Sequence, residues 1–223
     1  MNAKNLLPAL CLIFAAVAFG VELDTVKTFF ADGTLARVYT VQEGGSVREG
    51  TSFSYYPNGT LALEIPYKDG KIEGEFKAFY ESGKPRQRAF YSADKLSGDY
   101  EEFYESGKLR QKTLYVEDKE EGVSEFYYEN GKKERQEVYS FGKLDGPVTT
   151  WDSTGAVRSE TPYVGGRPHG RARIYGEEGG RSIIEEMDYV QGMRQGYYRK
   201  YDRGIMVKQM HFKANRCDSA CQK

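Results

Sequence analysis

A segment of about 24 residues recurs along this 223-residue chain, and its period constrains the fold more than any other feature. Residues 74–83 read GEFKAFYESG and residues 98–107 read GDYEEFYESG, so both contain GxxxxFYESG. Related segments begin at glycines spaced by 24 residues, or by 26 in the last interval: Gly50, Gly74, Gly98, Gly122, Gly146, Gly170 and Gly196. A fixed period of this length indicates a repeat array, in which each unit packs on its neighbours.

Each repeat is predicted to form a β-hairpin, because two runs rich in aromatic and β-branched residues flank a turn signal. In the repeat at 75–98 this signal is ESG at 81–83, and in the preceding repeat it is PNG at 57–59. Glycine there supplies the positive φ that a hairpin turn requires. Second turns, such as DG at 69–70, join the strands that follow. The predicted fold is all-β, an elongated antiparallel β-meander of about eight repeats near 25–50, 51–74, 75–98, 99–122, 123–146, 147–170, 171–196 and 197–213.

Two aromatic positions recur in the repeats and are predicted, together with the seven glycines, to be structural. The first set lies in the first strand of each hairpin: Tyr55, Phe79, Phe103, Tyr127, Trp151, Tyr175 and Tyr201. The second set follows further along each repeat: Tyr67, Tyr91, Tyr115, Tyr139, Tyr163 and Tyr189. We expect these rings to stack on their counterparts in neighbouring repeats, and an aromatic ring to lie over each repeat glycine. Charged residues of opposite sign on adjacent strands are expected to pair.

The first twenty residues differ from the rest of the chain. Lys4 precedes the apolar run LLPALCLIFAAVAF, and small residues at positions 18 and 20 come before Val21. This pattern predicts a secretory signal peptide at 1–20, followed by the repeat array at 21–213 and a tail at 214–223. A transmembrane anchor is the alternative, although the run is shorter than the roughly 20 residues that span a bilayer. We therefore expect export to the periplasm, the cell envelope or the medium.

Two of the three cysteines, Cys217 and Cys221, lie close together in the tail. An oxidising compartment would allow them to form a short-loop disulfide, and two free thiols are the alternative. These cysteines and the two histidines, His169 and His211, are too scattered for a metal site. No cofactor is predicted.

The charge balance and the motifs argue against two classes of function. The chain has 32 Lys and Arg against 33 Asp and Glu, so it lacks the basic excess of a nucleic-acid-binding protein. It contains no GxSxG, HExxH or P-loop pattern. Adjacent carboxylates, such as Glu101 and Glu102, point to opposite faces of a strand and do not converge. We therefore predict no catalytic residue and no enzymatic activity.

The repeat resembles the MORN repeat, and specifically its bacterial variant. The resemblance rests on GxxxxYxxxG followed by an aromatic residue and a closing glycine, and GVSEFYYENGKKERQEVYSFGKLDG at 122–146 matches best. It implies an elongated β-sheet used for protein contacts and assembly or, in some proposals, for phospholipid binding. Many bacterial chains with this variant are labelled antitoxins, so an antitoxin-like neutraliser of a partner protein is an alternative. The positions that match the motif are structural, so the resemblance implies no catalytic residue.

A regular surface of this kind predicts a protein-interaction scaffold. Because tyrosine and arginine are enriched at interface hot spots, the predicted partner-binding residues lie within 51–146. They are Tyr56, Tyr80, Tyr104, Tyr128, Arg86 and Arg110. The alternative is that these tyrosines only cover neighbouring strands. A glycan or a membrane surface is a less favoured ligand, the latter because the chain has no basic excess.

Overall fold

The computed structural model describes residues 15–18, 21–176 and 182–218, and every regular element in these residues is a β-strand. The chain divides into two compact units, residues 1–107 and 108–223. Strand follows strand with antiparallel pairing in both units, which confirms the prediction of an all-β meander. Most of the predicted signal peptide, at 1–14 and 19–20, lies outside the described residues.

The first unit is a meander in which successive strands pair with each other. The two-residue strand β6 pairs with the end of β5, and β7 pairs with an earlier part of β5. The strands are β1 Ala15–Ala18, β2 Val21–Phe29, β3 Leu35–Gln42, β4 Gly50–Tyr55, β5 Leu61–Lys68, β6 Lys71–Ile72, β7 Gly74–Phe79, β8 Pro85–Ser92 and β9 Lys95–Phe103.

The second unit continues the same pattern of long and short strands. Its strands are β10 Leu109–Val116, β11 Lys119–Tyr127, β12 Lys133–Ser140, β13 Lys143–Leu144, β14 Gly146–Trp151, β15 Val157–Val164, β16 Arg167–Pro168, β17 Gly170–Tyr175, β18 Ile183–Val190, β19 Met193–Asp202, β20 Ile205–Lys213 and β21 Arg216–Cys217.

Both kinds of predicted turn are present. In the loop between β4 and β5, the Tyr56 amide donates to the Thr60 carbonyl at 2.8 Å, and the Asn58 side chain accepts from the Thr60 amide at 2.9 Å. Between β8 and β9 the turn has only two central residues, Ala93 and Asp94, with φ of 49° and 70°. Positive φ at both positions matches the right-handed twist of the flanking strands.

The repeat glycines have positive φ, and all but Gly122 also lie close to a side chain of the preceding strand. Gly98 has φ of 134°, and a Cβ placed there would lie 2.8 Å from the Cβ of Phe90. The prediction that an aromatic ring covers each of these glycines is wrong. The covering side chain is a valine at Gly146 and a proline at Gly170, and nothing lies within 4 Å at Gly122. The positive φ and the neighbouring strand therefore explain the recurrent glycine.

Few side chains are buried, and the most deeply buried ones are small. Ala78 and Ala89 are 0% exposed, and Thr113 and Ser124 are 1% exposed. Small residues in the middle of a strand are covered by longer side chains on the adjacent strands. Each strand therefore depends on its neighbours for burial.

Replacing Gly146 by alanine is expected to destabilise the protein more than the same change at Gly122. Both glycines have positive φ, so either alanine costs about 1–2 kcal/mol from backbone strain. At Gly146 the new Cβ would also lie 2.7 Å from the Cβ of Val138, whereas at Gly122 it meets nothing within 4 Å. Thermal unfolding of the two variants checks this difference. Equal losses of stability would show that close approach contributes nothing.

Candidate binding surface

The strand register of the second unit defines two faces with different chemistry. Residues paired across antiparallel strands lie on the same face. We call the first the groove face, and its central row is Gln111, Phe126, Arg135, Thr150, Ser159, Ile174, Glu185, Lys200 and Lys208. We call the opposite one the ladder face, and its central row is Lys112, Glu125, Gln136, Thr149, Glu160, Arg173, Glu186, Arg199 and Gln209.

The ladder face contains charges that neutralise each other. The Glu186 carboxylate lies 3.4 Å from Nε of Arg173 and 3.7 Å from Nη1 of Arg199. It also accepts a hydrogen bond from the Tyr201 hydroxyl at 3.1 Å. In the first unit the Arg88 guanidinium lies 2.7 Å from Glu101. The predicted pairing of opposite charges across strands is confirmed.

A groove of about 660 Å³ opens on the groove face between β15 and β20. Its apolar lining includes Tyr163, Met187, Tyr189, Tyr198, Met210 and Phe212. Arg194 also lines it, and the guanidinium carbon lies 5.6 Å from the centroid of the Phe212 ring. Glu185 and Lys208 add charge, and Glu185 lies 3.6 Å from Lys200. The groove thus combines aromatic, thioether and charged groups.

A smaller hollow of about 470 Å³ brings together two of the predicted partner-binding residues, Arg110 and Tyr128. Trp151, Phe126 and Arg135 also line it. The Arg135 guanidinium carbon lies 4.1 Å from the centroid of the Phe126 ring, which is a cation–π distance. The predicted binding role of Arg110 and Tyr128 stays a prediction, now with a defined location.

The other predicted binding tyrosines lie in the first unit, and their hydroxyls make contacts that the sequence did not reveal. Tyr56 donates to the carbonyl of Phe79 at 2.8 Å, and Tyr80 donates to the carbonyl of Phe103 at 2.7 Å. In the second unit the Tyr128 hydroxyl donates in the same way to Trp151, at 2.8 Å. Each bond joins residues 23 positions apart, from one repeat to the next.

These three tyrosines are half-buried, so their rings cover the sheet while part of each stays accessible. Tyr104 is also half-buried, and Arg86 is exposed. In the sequence, a second tyrosine recurs directly after the aromatic residue of the first strand. This recurrence is the feature from which the hydroxyl contacts could have been predicted. Their binding role is not decided by this arrangement and stays a prediction.

The structural aromatic residues make polar contacts as well as apolar ones. The Tyr127 hydroxyl donates to Glu125 at 2.7 Å, and the Tyr175 hydroxyl donates to Glu160 at 2.7 Å. Burial, together with the hydrogen bond to Glu125, raises the pKa of Tyr127 to about 12. Among the predicted second-set residues, Tyr91 packs edge-on against Phe76 with the ring centroids 6.0 Å apart. These tyrosines therefore contact neighbouring residues in two ways, by hydrogen bonds from the hydroxyl to carboxylates and by packing of the ring.

A pair of carboxylates lies beside Tyr139. Glu137 is only 7% exposed and accepts a hydrogen bond from the Tyr139 hydroxyl at 2.9 Å. Nε of Arg135 lies 3.5 Å from the same carboxylate. Burial, and then the charge of Glu137, raise the pKa of Glu120 above its usual value. Ionisation of Glu120 is therefore less favourable in the folded protein than in the unfolded chain.

The two histidines and Cys217 make contacts within the protein that explain their presence without a binding or catalytic role. Nδ1 of His211 lies 2.5 Å from the Asp218 carboxylate, and its ring packs edge-on against Tyr197. His169 accepts a hydrogen bond of 3.4 Å from the Gln191 amide. Cys217 is disulfide-bonded, and its predicted partner Cys221 lies outside the described residues. Within residues 15–18, 21–176 and 182–218, no group of three or more His, Cys, Asp or Glu could hold a metal ion.

The described part of the chain contains no helix with the length and hydropathy needed to cross a membrane.

The fold and the repeated side-chain contacts define a β-sheet repeat protein. A comparison with protein families identifies the repeat itself, because four consecutive segments match the MORN repeat variant: 48–69, 72–93, 96–117 and 120–140. Residues 48–140 therefore consist of four MORN-variant repeats. A search of curated proteins finds no match to the chain.

Replacing Tyr80 by phenylalanine is expected to lower the free energy of unfolding by about 0.5–1.5 kcal/mol, the usual contribution of one hydrogen bond. The ring stays, but the bond to the Phe103 carbonyl is lost. Tyr197→Phe is the control, because that side chain is 39% exposed and no hydrogen bond of its hydroxyl is described. Chemical denaturation checks both variants. Equal stability of the two would argue against a structural role for the Tyr80 hydroxyl.

Replacing Glu120 by glutamine is expected to stabilise the protein at neutral pH. Because the folded-state pKa of Glu120 is raised, the free energy of unfolding falls as pH rises from the ordinary glutamate pKa through the raised value. Glutamine removes this loss, so the variant should gain on the wild type as pH rises and match it at lower pH. Thermal unfolding at a series of pH values checks this, with the exposed Glu129→Gln as control. An unchanged pH profile would contradict the assignment.

Proposed function

We propose that this chain is a non-enzymatic interaction protein that binds a protein partner on the groove face of its second unit. The observation that carries the proposal is the groove of about 660 Å³, whose lining combines tyrosine, methionine and arginine. These residue types are enriched where proteins bind each other, because they bury a large area and adapt to the partner surface.

The contrast between the two faces favours this surface. On the ladder face, carboxylates and guanidinium groups such as Glu186 and Arg173 already pair with each other. On the groove face, Tyr163, Met187 and Tyr189 are half-buried, so part of their apolar area stays accessible. A patch of accessible apolar groups with a charged margin has the composition of a protein-binding site.

The titratable groups of the groove support binding over catalysis. No histidine or cysteine lines it among the described residues. The Tyr198 phenol is protonated at neutral pH, and burial, followed by the Glu185 carboxylate, raises its pKa further. A protonated phenol is a poor nucleophile but a good hydrogen-bond donor in an interface.

The sequence of residues 1–20 supports a further part of the proposal, namely that the protein is exported and meets its partner outside the cytosol. An antitoxin-like neutraliser would use the same surface, with a toxic protein as the partner. The identity of the captured partner distinguishes a scaffold from a neutraliser.

Capture of the partner by crosslinking tests the proposal. Full-length protein with a C-terminal tag is expressed in its native cell and crosslinked, and the proteins recovered with it are quantified. Tyr163→Ala combined with Met187→Ala should reduce recovery of a specific partner by about fivefold or more, because truncating interface anchors costs upwards of 1 kcal/mol. Val164→Ala is the matched control, since Val164 is 54% exposed and follows Tyr163 on the opposite face of β15.

The fold of the double variant is checked by circular dichroism, so that loss of the partner is not loss of structure. Equal recovery with the wild type and the double variant would exclude the groove as the binding site. The predicted residues within 51–146 would then be tested next. Recovery of no protein partner would count against the proposal as a whole.

A further inference from the structure

In the part of the chain that the structure describes, the outer edge of the last long strand, β20, is open over most of its length. On one side it pairs with β19 from Asp202↔Ile205 to Gly196↔Phe212. On the other side, the short β21 pairs with it at Phe212 and Lys213, and the Asp218 amide donates to the His211 carbonyl at 3.1 Å. Among the described residues, no strand covers the outer edge of Ile205–Met210. An open edge presents backbone N–H and C=O groups that can pair with another strand.

This edge is also apolar for an exposed strand. Ile205, Met206 and Val207 are 71%, 49% and 57% exposed. The register of β19 and β20 shifts between Lys200 and Tyr201, so Met206 pairs with Tyr201 on the ladder face, whereas Met210 shares the groove face with Lys208. Exposed apolar residues beside an open edge favour the addition of a strand that covers both.

The charges near the edge indicate the chemistry of that strand. On the groove face Glu185 pairs with Lys200 at 3.6 Å, and Lys208 is the next residue in the same row. Lys200 and Lys208 thus place two like charges on adjacent strands, which is unfavourable. No ion pair is described for the exposed Lys208. A carboxylate on an added strand would restore the alternation of charge at this position.

A second copy of β20 is a poor occupant. The strand reads IMVKQMHFK, with two lysines and no acidic residue, so pairing with itself would bring like charges together. The complementary segment instead carries one acidic residue opposite Lys208 and an apolar residue two positions away, opposite Met210.

We propose that β20 is a strand-addition site for an extended protein segment that carries an acidic residue and, two positions away on the same face, an apolar residue. The inference deepens the proposed function, on which it rests for the idea of a protein partner, by stating the chemistry of a segment bound at the edge of the groove face. Backbone hydrogen bonds supply affinity in such complexes, and alternate side chains supply specificity.

Binding of a synthetic peptide tests the site without knowledge of the natural partner. The probe is a fluorescein-labelled peptide, Thr-Leu-Thr-Glu-Thr-Leu-Thr, and binding to the full-length protein is followed by fluorescence anisotropy. The same peptide with Lys in place of Glu should bind up to about fivefold more weakly, because a cross-strand charge pair is worth up to 1 kcal/mol. Lys208→Glu should reverse this preference, and Lys208 is exposed, so the variant is expected to fold.

A second comparison separates strand addition from side-chain binding in the groove. A peptide with alternate backbone nitrogens methylated cannot pair as a strand on that edge and should lose binding. The native peptide should also slow amide hydrogen exchange within Ile205–Met210. Equal binding of the methylated peptide, an unchanged preference with Lys208→Glu, or no binding at the highest soluble concentration would each overturn the proposal.

The groove variants keep the two proposals distinguishable. Tyr163→Ala combined with Met187→Ala should leave peptide binding at β20 unchanged, because these residues lie on β15 and β18. Loss of the native partner with retained peptide binding would locate the main contact in the groove. Retention of the partner by the groove variant and its loss with Lys208→Glu would support the edge and overturn the groove.

Discussion

Burial between adjacent strands is the constraint on which the rest of this structure depends. The fully buried side chains are small ones in mid-strand, such as Ala78, Ala89 and Ser124. Longer side chains of neighbouring strands must cover them, so a single hairpin cannot supply its own core. This requirement explains the repetition, since each repeat provides the surface that the next one needs.

The two faces of the second unit differ in role: the ladder face contributes ion pairs that stabilise the sheet, and the groove face is the proposed binding surface. Alternating charges on the ladder face pair well only when every strand keeps its register, because a slip of one residue turns each side chain to the other face. Arg173 between Glu160 and Glu186 illustrates this, with carboxylates on both neighbouring strands. Because the ion pairs of the ladder face maintain the register, the tyrosine and methionine residues of the groove face are not needed for that purpose and remain available for binding.

The period and the turn residues were enough to predict the fold, because both report backbone geometry that recurs in every copy. The covering of the glycines was predicted wrongly, since residue type does not show which side chain faces a glycine at positive φ. Gly146 faces Val138 and not an aromatic ring. The groove could not be predicted either. Tyr163, Met187 and Phe212 come from different strands at no common spacing, and only the register brings them together.

The tyrosine hydroxyls that reach 23 residues ahead have a consequence for how such a chain can change in length. Adding or removing one residue between Tyr56 and Phe79 would misplace the donor relative to its carbonyl, whereas duplicating a whole repeat would preserve it. Among the repeat glycines, only the interval from Gly170 to Gly196 differs from 24 residues. In that repeat Gly176 occupies the position equivalent to Tyr56, so the hydroxyl contact is absent there. An array held by such bonds therefore lengthens most readily by whole repeats.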